Sequence, residues 1–250
     1  MIQSVDRALQ ILEYIAENHG MGISTLAQLM DIDKSSVSRL ICTLRAHNLV
    51  RLDPNNGKYY LGYRILFFSS AIKNEINIVA IANPIIHRLS QELGESIHLC
   101  ALANDMAFVV DQVKGHYIHN IATTIGALEP FHCSSVGKCI LAYQQDKKIE
   151  KMLMDYEYKK FTENTIISKE GLLEEIQKIR KQGYAIDMEE MTHGVCCFAV
   201  PIYDYKGEVK YSIGLSGLRS IIGNEDFNGN LQAMKAAAHE ISVQLGFRDA

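Results

Sequence analysis

Residues 31–62 read DIDKSSVSRLICTLRAHNLVRLDPNNGKYYLG, and this stretch decides the fold of the N-terminal part of the chain. Asp31-Ile32-Asp33 makes a tight polar turn. Val37, Leu40, Ile41 and Leu44 then recur at helical spacing over about Lys34–His47, marking one buried face. The opposite face carries Lys34, Ser35, Ser36, Ser38, Arg39 and Thr43, all short hydroxyls or basic groups. Leu49–Leu52 and Lys58–Leu61 are two short strands around Asp53-Pro54-Asn55-Asn56-Gly57. Asn-Gly is among the strongest hairpin signals, because both turn positions need positive φ.

Towards the N-terminus the pattern gives two more helices. Val5, Ala8, Leu9, Leu12, Ile15 and Ala16 form a stripe with Ser4 placed as its cap, ending at Asn18-His19-Gly20. A second helix starts near Ser24-Thr25, with Thr25-x-x-Gln28 in capping-box form, and buries Leu26, Leu29 and Met30. Two helices, a tight turn, a polar third helix and a hairpin spell a winged helix-turn-helix over residues 1–62. The small hydroxyls of the third helix permit close approach to a major groove, while Lys34 and Arg39 reach phosphates or guanine edges. Lys58 and Tyr59 on the wing press on the adjacent backbone, and Arg7 and Arg45 add phosphate contacts. These 62 residues balance six Lys+Arg against six Asp+Glu. Order of motifs, not charge, therefore points to DNA, and a protein-interaction module is the alternative.

Composition bounds the rest. With 250 residues, 48% hydrophobic and 22% charged, the chain is long enough for one large or two modest cores and is neither disordered nor a disulfide mini-protein. A net charge of −4 excludes a globally basic nucleic-acid coat. No apolar run approaches the ~20 residues of a membrane span, so no membrane partner is expected. The opening MIQSVDRALQIL lacks a small-residue cleavage site, so a secretory signal is not expected either. Cys42, Cys100, Cys133, Cys139, Cys196 and Cys197 are scattered, which fits reduced thiols in a cytoplasm.

From Arg64 to about Gly94 the pattern is helical, with Ile65, Phe68, Ile72, Ile76 and Val79 in one stripe and Leu66, Phe67, Ala71 and Ile78 widening it. A helix this apolar wants a second partner surface; residues 63–90 are assigned to a linker helix with a dimer contact. Residues 91–250 form an α+β domain. Strands are expected at Ser96–Ala103, Met106–Val113, Tyr117–Ala122, Tyr184–Asp187, Cys196–Tyr203 and Val209–Leu215. Helices are expected at Ser134–Gln144, Lys147–Met154 and Lys169–Gln182, before a closing helix through Leu231, Met234, Ala238, Ile241 and Leu245. Strands, helices, then strands suggest one antiparallel sheet flanked by helices.

At this point the residues resemble the IclR family of bacterial transcriptional regulators, over nearly the whole chain. Ser4-Val5-Asp6-Arg7-Ala8-Leu9 is similar to the family's opening, Lys34–Leu40 to its recognition helix and Gly57–Gly62 to its wing. His132-Cys133-Ser134-Ser135-Val136-Gly137-Lys138 followed by Leu141-Ala142 resembles a family segment, as do Phe161-Thr162, Gly183-Tyr184-Ala185, Asp187-x-Glu189-Glu190 and Gly194-x-x-Cys197-x-Ala199-x-Pro201. The resemblance implies a GAF-like effector domain, a homodimer or dimer of dimers, double-stranded operator DNA as partner, and a small organic or sugar acid as effector. It implies a repressor of a catabolic operon. It also assigns a pocket: Ile118 and Ile121 as apolar wall, the Ser135-Val136 backbone as donors, and Asp187, Cys197 and Ser216 as polar residues. Glu129 and Gly214 depart from the family pattern, where an apolar residue and a hydroxyl are usual. A carboxylate there would repel a simple acid unless protonated or paired with ligand hydroxyls, which favours a polyhydroxylated ligand. The residues themselves support an anion site, since Ser134-Ser135-Val136-Gly137 puts small residues at a helix start; the alternative is that Ser134 serves only as that helix's cap.

Two rival classes are weaker. His98, Cys100, His132, Cys133, His193, Cys196 and Cys197 are metal-ligand types without paired spacing, so no metal or other cofactor is expected. A metal-sensing or ligand-independent regulator of the same fold is the alternative. Cys197 with His193, or Asp187 with Glu190, lack a third orienting group, and Ser135–Cys139 fails the Walker pattern, so no catalytic residues are expected.

Overall fold

The computed structural model describes residues 2–75, 77–116, 123–218 and 227–248, with backbone alone for 71–75 and 77. The chain divides into two compact units, Met1–Ile76 and Asn77–Ala250.

The first unit holds α1 (Gln3–Glu17), α2 (Ile23–Leu29), α3 (Lys34–Ala46), β1 (Val50–Leu52), β2 (Tyr59–Leu61) and α4 (Arg64–Glu75). Its core is Ile11, Ile15, Leu26, Val37, Ile41, Leu44 and Val50. β1 and β2 pair antiparallel, Val50 opposite Leu61. Gly57 turns between them at φ +68°, where a side chain would be strained. Met21 bridges to the outer side of β2, exchanging backbone hydrogen bonds with Tyr59 at 2.8 and 2.9 Å.

Details of α1 and α2 differ from expectation. α1 buries Ile11 and Ile15, while Val5 and Leu9 are exposed; apolar residues lie on two sides of this helix, and spacing alone cannot choose between them. Leu29 is exposed as well. Neither Ser4 nor Thr25 is a cap, because the helices begin earlier, after Ile2 and Gly22. The cap the sequence reading missed is Asp33, at the start of α3.

The second unit opens with α5 (Asn77–Leu93) and continues β3 (Ser96–Ala103), β4 (Met106–Val113), α6 (Ser135–Ala142), α7 (Asp146–Met152), α8 (Lys169–Gln182), β5 (Ala185–Met188), β6 (Val195–Tyr203), β7 (Val209–Leu218) and α9 (Phe227–Gln244). The stretch expected as a linker helix is helical over 64–75 and 77–93, with residue 76 outside the described residues, and the boundary between the two units falls there. α5 packs on β3, β4 and α9, burying Ile78, Ala82, Ile85, Ile86 and Leu89. The strand expected at Tyr117–Ala122 lies outside the described residues.

The sheet has the order β4-β3-β7-β6-β5, with every pair antiparallel. α6 covers one face; α5 and α9 cover the other. Both faces are therefore covered, which is why β6 and β7 are buried almost continuously rather than in alternation. β3 and β4 end where expected because Asn104 and Asp105 take φ +51° and +59°, the two positive angles of a tight hairpin.

Candidate functional site

In the first unit α3 presents Lys34, Ser35, Ser38, Arg39 and Thr43 to solvent, with Ser36 half-buried. Asp33 organises the start of this face. It accepts the Ser36 backbone N–H at 2.8 Å and the Ser36 hydroxyl at 2.7 Å, and the Ser35 hydroxyl also donates to it. These donors, Ser35 first, hold the Asp33 carboxyl well below the usual carboxylate range. With their protons committed to Asp33, Ser35 and Ser36 face outward as acceptors. Arg39 leans on Ser36, Nη2 to Oγ 3.4 Å, and Thr43 donates to the Arg39 carbonyl at 3.1 Å. Lys58 is exposed on the wing. Tyr59 and Arg7 are half-buried, and Tyr59 packs against the core of the unit. A basic group that the spacing did not pick out is Arg51, exposed on β1 with its guanidinium 5.0 Å from the Tyr60 ring centre.

In the second unit, strand register builds a cavity. Asp187 lies opposite Cys197, and Cys197 opposite Ser216, so three strands place these side chains in one row. The next row that shares their face runs Ala185, Ala199, Gly214 and His98. Its residues are small except His98, whose ring takes the space above Gly214: a Cβ on Gly214 would lie 2.5 Å from His98 Nε2 and 2.6 Å from Val136 Cγ1. Gly214 is therefore the floor under His98 and Val136 and is not itself in the cavity wall.

Above these rows stands the start of α6. Ser134 caps it, accepting the Gly137 N–H at 3.3 Å. A Cβ on Gly137 would lie 2.6 Å from the Pro130 carbonyl oxygen and 2.8 Å from that of Glu129, so only glycine lets this segment cross the helix so closely. Residues 127–129 pair along β4, with the Glu129 N–H donating to the Ala107 carbonyl at 2.9 Å. That pairing aims the Glu129 carboxyl at the cavity, where it accepts from the Ser134 hydroxyl and from the Thr123 hydroxyl at 3.3 Å.

The resulting cavity measures about 200 Å³ and is lined by Glu129, Ser135, Asp187, Cys197 and Ser216, together with His98 and others. Five of the sequence-assigned effector residues thus meet at one place. Val136, buried in the first turn of α6, is not among the lining residues, and Ile118 and Ile121 lie outside the described residues. The Ser135 hydroxyl is buried and has no hydrogen-bond partner among the described residues. Sequence reading weighed His98 only as a metal ligand and did not reach Thr123, Met191, Thr192 or Val195. Among the described residues no three His, Cys, Asp or Glu side chains stand close enough to share a metal ion.

Burial dominates the electrostatics. It pushes Asp187 up to about 6, raises Glu129, and lowers the His98 imidazole to about 4, so that ring is neutral near pH 7. Beside the cavity Lys138, with no exposed surface, donates to both carboxylate oxygens of Glu190 at 2.6 and 2.7 Å and lies 3.5 Å from Glu175. Asp187 Oδ1 accepts the Glu190 N–H at 2.6 Å, and Thr165 donates to the Glu190 carbonyl at 2.6 Å. The loop forming the cavity's outer wall is thereby fixed on three sides.

An exposed polar helix of helix-turn-helix type and a buried polar cavity under a helix start, carried on one chain, are the arrangement of a DNA-binding regulator. Residues 4–54 match the IclR helix-turn-helix domain, and residues 70–243 match the bacterial transcriptional regulator IclR C-terminal domain. The chain belongs to the IclR family of bacterial transcriptional regulators. It is 31% identical over 248 residues to the HTH-type transcriptional regulator XynR of Escherichia coli (strain K12), covering 99% of this chain and 98% of that one. It is 30% identical to the transcriptional repressor IclR of the same organism, covering 98% and 90%. The crystal structure of Thermotoga maritima IclR matches with a TM-score of 0.79 at 27% identity, covering 99% of this chain and all of that one. The expected family, α+β fold and non-enzymatic character agree with these findings.

Proposed function

We propose that this regulator senses a small hydroxylated carboxylic acid, of sugar-acid type, in the cavity of its second unit and represses a catabolic operon until that acid is present. The observation that carries this reading is the unpartnered, buried Ser135 hydroxyl at the first turn of α6, facing the cavity. The Ser135 and Val136 N–H groups precede the first intrahelical bond of α6, and such N–H groups with the helix dipole favour an anion. Ligand hydroxyls then donate to Glu129, which a simple acid would leave unanswered. The neutral His98 and the Ser216 hydroxyl complete a surface suited to uncharged oxygens.

Lys34, Ser35, Ser36, Ser38, Arg39 and Thr43 read the operator's major groove, with Lys58, Tyr59 and Arg7 on the flanking backbone. Residues 1–62 bind DNA, residues 63–90 carry the dimer contact and residues 91–250 bind the effector. Exposed Leu66, Phe67 and Phe68 on α4 support an α4-centred dimer, which would present two reading heads to a pseudo-palindrome. Ligand and DNA each bias the same dimer geometry, so each weakens the other by an equal factor. The name of the E. coli repressor that this chain resembles favours repression.

The test is a thermal-shift screen against organic, sugar and aromatic acids with Asp187→Ala alongside, followed by operator-release assays with any hit. A sugar acid that stabilises the protein, fails with Asp187→Ala and releases DNA is the expected result. Tight binding of simple keto acids with none of sugar acids would refute the hydroxyl reading.

A further inference from the structure

The cavity has an unusual charge balance for a site that takes an anion. Its wall includes the carboxyls of Glu129 and Asp187, and Glu190 lies directly behind Asp187. Lys138 is the cation in this cluster, and both of its short contacts go to Glu190, with Glu175 of α8 next nearest. The other titratable groups facing Asp187 are the thiols of Cys133, from the segment before α6, and Cys197 on β6, both raised by burial, together with Glu129. Across the cavity His98 on β3 is held neutral, also by burial. No described lysine or arginine lines the cavity. An entering carboxylate therefore meets carboxylates without a spare cation, in a place too buried for solvent screening.

Resting on the anion-site reading above, we infer that the ligand enters together with a proton, carried by Asp187, so that the regulator's sensitivity to its acid rises as the cytoplasm acidifies. The geometry selects Asp187 over its neighbours. Its carboxyl accepts the backbone N–H groups of Glu190, on Oδ1, and of Met191, and a singly protonated carboxyl keeps lone pairs for both while gaining an O–H donor beside the cavity. Glu129 already accepts hydroxyl donors from Ser134 and Thr123, and Glu190 is held by Lys138. Its raised affinity for protons, from burial first, places Asp187 within reach of the cytoplasmic range. The sign follows from linkage: bound anion raises the Asp187 pKa further, so protons are taken up on binding, and affinity falls as pH rises above about 6.

The test measures the affinity of the full-length protein for gluconate, glycolate and benzoate by calorimetry at about pH 6 and about pH 8, in buffers of contrasting ionisation enthalpy. Full uptake of one proton changes the dissociation constant by up to about ten-fold per pH unit; the expected result is weakening by ten-fold or more across the interval, with buffer-dependent heats. Asp187→Asn is the discriminating variant, because its amide mimics the protonated carboxyl and still accepts the Glu190 N–H. It should bind the same probe at the higher pH as tightly as the wild type does at the lower, with the dependence flattened. Equal wild-type affinity at both pH values would overturn the inference while leaving the anion site standing. A pH dependence unchanged in a folded Asp187→Asn protein would also overturn it, placing the proton elsewhere. If none of the probes binds at either pH, the anion-site reading itself fails, and the inference with it.

Discussion

Replacing Lys138 by Met keeps the side chain's length and apolar stem but deletes the ammonium. Lys138 has no exposed surface, and its Nζ stands 2.6 and 2.7 Å from the two oxygens of Glu190. At an effective dielectric of about 20, unit charges at that separation attract by roughly 6 kcal/mol. Much of this is offset by the desolvation of both groups, so the intact pair adds little net stability. Its one-sided removal is another matter: Glu190 would remain buried beside Asp187 and Glu175 with no cation, a situation that costs about 3–5 kcal/mol. The cost must depend on pH. Burial already raises the Glu190 pKa, with Lys138 pulling it down, and without Lys138 it rises further. A carboxyl with a raised folded-state pKa binds more protons folded than unfolded, so stability falls as pH climbs from the unfolded value, about 4.3, through the folded one. Urea unfolding followed by circular dichroism should therefore show Lys138→Met far less stable than wild type at pH 8 and closer to it at pH 5. The double variant Lys138→Met/Glu190→Gln, with no charge left unpaired, should recover most of the loss. A single-variant loss below about 1 kcal/mol at pH 8, the size of an ordinary surface change, or a double variant no more stable than the single, would refute this account of the buried pair.

Other perturbations separate the two units' roles. Arg39→Ala should weaken binding to all duplexes alike and make the salt dependence shallower by about one unit, whereas Ser36→Ala should alter preference among sequences; fluorescence anisotropy over a set of duplexes and salt concentrations distinguishes them. Gly137→Ala drives a methyl against the Glu129 and Pro130 carbonyls, and should cost about 1–3 kcal/mol as overpacking while abolishing effector response, as read by thermal shift. Tyr156→Phe removes the hydroxyl that accepts the Phe131 N–H at 2.8 Å and lies 2.9 Å from His132 Nδ1; leaving that buried N–H unanswered should cost about 1–3 kcal/mol in urea unfolding.

What the sequence made legible follows from how local each cause is. α3 and the wing could be read because their determinants sit within a few residues: one apolar stripe, one Asn-Gly turn. α1 was misread on its buried face because Val5 and Leu9 follow helical spacing as well as Ile11 and Ile15 do, and only packing against α3 and β2 decides between them. The apolar composition on either side of residue 76 is alike, so it does not mark where the first unit ends; the second unit's claim on α5 comes from β3, β4 and α9, which no local pattern encodes.

The cavity is the extreme case. Asp187, Cys197 and Ser216 become neighbours only through the register of three antiparallel strands, so residue type alone does not group them, whereas the family resemblance does. His98 escaped because its reason is a missing atom elsewhere: Gly214 vacates the space that the imidazole fills. Glu129 was noticed as a departure, yet its inward aim comes from the pairing of 127–129 with β4. These residues share one property. Each is held by a partner distant in sequence, as Lys138 is by Glu190, 52 residues on. A site assembled that way can change its ligand by single substitutions at Glu129 or His98 without touching the helix starts and strand registers that form it. Specificity in this regulator should therefore reside in those two positions, and anion capture in the first turn of α6.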